Sequence, residues 1–144
     1  MNSINAKKIR ASIILEVIGR PPEHLTETLE KLVAEIGEEK GVKIQEKRVN
    51  ESVPLKEQPE FYTNFAEIEL ELESILNLII ILFKYMPAHV EIIEPESIEL
   101  DNSGWNDTMN EIVRRLHGYD EIARVMQVEK SILEKKLKEV LDKK

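Results

Sequence analysis

Cysteine is absent from this 144-residue chain, which removes disulfides, thiolate catalysis and cysteine zinc sites together. Also missing is any run near the roughly 18 apolar residues that a membrane span needs. The longest candidate, residues 75–86, is broken by Asn77 and Lys84. Residues 1–8 lack the apolar stretch of a signal peptide and are expected to be flexible. No P-loop, dinucleotide fingerprint or Ser/His/Asp elbow is present. These absences predict a cytoplasmic protein with no cofactor, no metal and no membrane partner.

What remains is globular: 42% of residues are hydrophobic and 33% charged. The formal charge of −8 lies wholly in residues 1–100, where 19 acids face 11 bases. Residues 101–144 hold nine of each. An acidic body repels phosphates, so no nucleic-acid partner is expected.

Residues 10–19 alternate, with Ala11, Ile13, Leu15 and Val17 on one side, as a half-buried strand requires. Pro21 and Pro22 then open a helix in which Leu25, Leu29, Leu32 and Ile36, with Val33, form one stripe. A second strand covers 42–49, with Val42 and Ile44 inward and Lys43, Gln45 and Lys47 outward. Residues 50–60 read as a polar connection. In the third strand, 61–73, Ala66, Ile68, Leu70 and Leu72 face one way and Glu67, Glu69, Glu71 and Glu73 the other. Ser74 caps a helix over 75–86 that is apolar nearly all round, so something besides the sheet must cover it. A fourth strand spans 88–94 and ends at Pro95. The order predicts an α+β ferredoxin-like βαββαβ sandwich over residues 1–100. Its antiparallel sheet has strand order 4-1-3-2, with both helices on one face.

Residues 101–144 are predicted to be a helical extension. Met109, Ile112, Leu116, Tyr119, Ala123, Met126, Lys130, Leu133, Leu137 and Val140 step by three and four, and only Lys130 is polar. That is a coiled-coil-type seam. His117-Gly118-Tyr119-Asp120 interrupts it with helix-stop and N-cap residues, leaving a break at Gly118 open. Leu116, Tyr119, Met126, Leu133, Leu137 and Val140 are the expected oligomer seam, with a homodimer favoured. A tail folded back over 75–86 is the alternative.

Two further surfaces bear on chemistry. The Glu67, Glu69, Glu71, Glu73 ladder could dock a basic partner or stand as a solvated face balanced by Lys43 and Lys47. A single straight ladder lacks the convergent oxygens that Ca²⁺ or Mg²⁺ requires. Arg20, at the start of the first helix, could hold an anion, although Pro21 and Pro22 remove two backbone donors. His24, His89 and His117 fall on three elements and form no ligand set. Phe61 and Phe65 could stack bases, but the ladder shares their face.

The stretch from Leu15-Glu16-Val17-Ile18-Gly19-Arg20-Pro21-Pro22 to Gly41-Val42-Lys43-Ile44 resembles the opening of ACT-type regulatory domains. That resemblance implies a ferredoxin-like fold and amino-acid sensing at an oligomer interface, with Pro22 standing where that family's loop has glycine. Arg20 with Asn64 resembles the loop arginine and strand asparagine of acylphosphatases, which would imply hydrolysis of a phosphoryl substrate. The acylphosphatase glycine-rich loop is missing here. The favoured expectation is a non-catalytic binding or scaffold protein, in its ligand-binding form an ACT-like small-ligand sensor. The alternative is an acylphosphatase-like hydrolase using Arg20 and Asn64.

Overall fold

Alternation turns into strands wherever one side can be buried. The computed structural model describes residues 8–143. Its elements are β1 (Ile9–Gly19), α1 (Pro22–Gly37), β2 (Val42–Val49), β3 (Val53–Pro54), β4 (Tyr62–Leu72), α2 (Ile75–Tyr85), β5 (His89–Glu94) and α3 (Asn102–Asp142). The sheet runs β2-β4-β1-β5, with β3 also paired to β4, and every pairing is antiparallel. Read from the other edge, this is the expected order, with a two-residue strand added inside the expected polar connection. The fold is α+β and ferredoxin-like. The expectation of flexibility falls on residues 1–7, outside the described residues, and on Lys8, which reaches Glu71 at 3.1 Å.

The central pair sets the core. Ile9, Ala11, Ile13 and Leu15 of β1 lie opposite Leu72, Leu70, Ile68 and Ala66 of β4, and all eight are buried. Helix α1 lays Leu25, Leu29, Val33 and Ile36 on that face, and α2 adds Leu78 and Ile81. Each such side chain contributes roughly 1.5–3 kcal/mol of burial. The turn into β2 needs Gly41, whose φ of 75° suits glycine. A side chain there would also meet Asn77, which donates to the Lys40 carbonyl at 3.0 Å.

Helix α3 starts where Asp101 accepts from the Gly104 amide at 2.8 Å, and it continues for 41 residues, about 62 Å. It passes through Gly118 without a break. An interior glycine costs only about 1 kcal/mol relative to alanine, too little to stop a helix anchored on both sides. Glu111 holds Arg115 before it, and Asp120 holds Arg124 after it. Thr108, Ile112 and Tyr119 turn toward α2: Thr108 is buried, and Tyr119 donates its hydroxyl to the Phe83 carbonyl at 2.5 Å. The first half of α3 is therefore the cover that α2 requires. Beyond Tyr119 every described residue of the helix is exposed. Among the described residues, no helix is long and apolar enough to cross a membrane.

Candidate functional site

The glutamate ladder lies on the open sheet face, and its own sheet neutralises much of it. Arg10 of β1 donates to Glu69 at 2.8 Å and also pairs with Glu94. The Glu69 hydrogen bond is the main reason the Arg10 guanidinium is held above its ordinary pKa. Glu71 receives Lys8 and accepts from Gln45 at 2.7 Å. The cross-strand cation is not the expected one. The β2–β4 register shifts between Ile44 and Glu46, which sets Arg48 opposite Glu67 and Lys47 opposite the inward-facing Ile68. Lys43 does stand opposite Glu71, as expected. A bulge inserts one residue and moves every later side chain to the other face. Glu73, past the end of β4, is tied by its backbone amide to the Gly41 carbonyl at 3.0 Å.

Arg20 and Asn64 are engaged separately. The Arg20 guanidinium lies 5.0 Å above the Phe61 ring, a cation–π stack. Asn64 pairs with Val17 and points inward, 1% exposed. There it donates to the Thr26 hydroxyl at 3.3 Å, and its carbonyl accepts from the Phe65 amide at 2.7 Å. These contacts commit both side chains to the fold, with none shared between them. Phe65 stays half exposed beside Glu16.

A third cluster joins the turn after α1 to α2. Glu39 accepts from Lys84 at 2.8 Å and from the Tyr85 hydroxyl at 2.5 Å. The Lys84 bond, then the Tyr85 bond, hold the Glu39 carboxyl below the usual carboxylate range. Burial, followed by Glu39, pushes the Tyr85 hydroxyl up. The cluster is a structural clasp. Among the described residues, no group of three histidines and carboxylates is placed to hold a metal ion.

The remaining surface is the seam. Thr108, Ile112, Arg115 and Tyr119 lie on one stripe of α3, and the same stripe runs on through Met126, Leu133, Leu137 and Val140. Its first part rests on α2. Among the described residues, nothing covers its second part: Leu133 is 66% exposed and Leu137 60%. Leu116 and Met126 are equally open. The seam is wider than a strict three-four reading, because Ile122 and Leu141 flank it and are also exposed. A hydrophobic stripe drawn at the full helical width would have found both. Two ion pairs lie along this segment, Asp120 with Arg124 at 3.0 Å and Lys130 with Glu134 at 3.8 Å. Sequence reading also missed Val90 and Ile92 of β5. They pair with Ile13 and Ala11 on the helix side of the sheet yet remain partly exposed at its edge.

The MJ0538 family matches residues 10–143, from the start of β1 to the end of α3. No curated protein and no solved structure matches the chain.

Proposed function

We propose that this chain, which belongs to the MJ0538 family, is a non-catalytic cytoplasmic scaffold that self-associates through the projecting half of α3. One observation carries the reading: the stripe that packs against α2 continues past Tyr119 as exposed Met126, Leu133, Leu137 and Val140. Soluble monomers rarely leave a contiguous apolar surface of this extent uncovered, and an uncovered one marks a protein-binding surface. Residues 120–143 are about 36 Å long, roughly three heptads, enough for a two-stranded coil. The other two surfaces argue for the same function by their occupancy. Glu69 and Glu71 of the glutamate ladder have their counter-charges, and Arg20 and Asn64 have their partners.

Light scattering across a dilution series tests the reading. The mass is expected to fall from dimer toward monomer as the protein is diluted. A monomeric mass at every concentration would remove self-association from the function. A thermal-shift screen of amino acids is expected to be flat, and a clear shift would move the reading to an ACT-like ligand sensor.

A further inference from the structure

Building on that self-association, we propose that the occupant of the seam is the same segment of a second copy lying antiparallel, with Lys130 level with Leu133. In heptad terms, Leu116, Ala123, Lys130 and Leu137 take position a, and Tyr119, Met126, Leu133 and Val140 take position d. Gln127 and Glu134 then fall at e, and Glu129 and Lys136 at g.

A parallel pair is disfavoured by its own charges. In-register helices set each a residue against its copy, so Lys130 would meet Lys130 inside the seam. Parallel coils also bring g of one helix to the following e of the other, which joins Glu129 to Glu134 twice. The two bodies, which carry the whole formal charge of −8, would sit side by side.

Reversing one helix changes each of these contacts. Position a then faces d, and g flanks g. With Lys130 level with Leu133 of the second copy, Ala123 meets Val140 and Met126 meets Leu137. Glu129 then flanks Lys136 of the second copy, twice by symmetry, and Lys130 lies beside Glu134 of the second copy. No like charges meet at the flanking positions. The neighbouring registers lack this property. Moving Lys130 to Met126 sets Glu129 against Glu129 and Asp120 against Glu134. Moving it to Val140 sets Lys136 against Lys136 and Glu134 against Glu134. The favoured register also aligns residue 120 with residue 143 of the second copy. The exposed part of α3 is then covered end to end, and the acidic bodies stand at opposite ends of a rod about 36 Å long. That separation is several Debye lengths at physiological salt.

The cysteine-free chain makes the test direct. Ala123→Cys and Val140→Cys are made separately in the full chain. After mixing, subunit exchange and mild oxidation, the mixture is expected to form a disulfide-linked dimer, while each variant alone stays unlinked. Charge supplies a second readout. Glu129→Lys is expected to weaken association roughly tenfold, and adding Lys136→Glu to restore it. A parallel dimer gives the reverse of both: each cysteine variant links to itself, and Glu129→Lys tightens association by placing a lysine opposite Glu134. That result overturns the antiparallel arrangement while leaving self-association intact. A wild-type chain that stays monomeric overturns both.

Discussion

The body and the projecting half of α3 settle their surfaces differently. In the body, the apolar core is covered and several carboxylates are paired within the chain. Arg10 bridges Glu69 and Glu94, Glu39 holds Lys84 and Tyr85, and the core of β1 and β4 lies under α1 and α2. Among the described residues, no buried side-chain nitrogen or oxygen lacks a partner. Along residues 120–142 two ion pairs sit one turn apart, Asp120 with Arg124 and Lys130 with Glu134, while the apolar stripe stays exposed. Paired charge on a surface reports a folded sheet or helix. The exposed apolar stripe is what the proposed self-association rests on.

The strongest way to break this contrast is to make the stripe polar. Leu133→Asp combined with Leu137→Asp should abolish association, because four leucines per dimer lose roughly 1.5–3 kcal/mol of burial each. Sedimentation equilibrium should return a monomer, and circular dichroism should still show the folded body. A persistent dimer would place the interface elsewhere, with the Val90 and Ile92 edge of β5 as the next surface to test.

A smaller effect sits inside the body. Gly41→Ala forces a positive φ on alanine and sets its Cβ 2.7 Å from the Asn77 amide nitrogen. A loss of about 2 kcal/mol is expected by urea denaturation. An unchanged midpoint would mean that the α1–β2 turn relaxes freely.

The Glu39 clasp should appear as acid sensitivity. Its carboxyl titrates lower in the folded chain than in the unfolded one, so its contribution is fully present above the unfolded value. That contribution fades as pH falls below the ordinary carboxylate range and through the lower folded value. Glu39→Gln should cost about 1.5 kcal/mol at neutral pH and flatten that part of the stability profile. Glu111, held low first by Arg114 and then by Arg115, leaves a residual slope. If the variant keeps the full slope, the clasp is not what acid breaks.

The smallest effect belongs to the helix. Gly118→Ala meets nothing within 4 Å and should stabilise α3 by a little under 1 kcal/mol, seen as higher helicity on warming. A loss of stability would show that Gly118 is needed for a bend.

Element order, strand order and the core stripe were legible because each rests on periodicity, which survives without knowledge of contacts. Ala66, Ile68, Leu70 and Leu72 could only be the inner face of a strand. What escaped depended on events with no periodic trace. The bulge at Gln45 exchanges Lys47 for Arg48 opposite the ladder, and no composition rule marks it. The engagement of Arg20 by Phe61 depends on a turn bringing distant residues together. At Gly118 local propensity suggested a stop, and tertiary anchoring through Tyr119 and Phe83 overrode it. The seam was the most legible candidate surface, yet which part of it α2 covers required the fold.

Tyr119 also fixes a mechanical property. Its ring rests 6.0 Å from that of Phe83, and beyond it every described residue of the helix is exposed. The contact acts as a fulcrum and the remaining 36 Å or so as a lever arm. Each degree of tilt at the fulcrum carries the far end by about 0.6 Å, so a ten-degree tilt sweeps it through about 6 Å. The aim of whatever α3 carries is therefore set by how its first half packs on α2, with Tyr119 against Phe83 as the outermost contact.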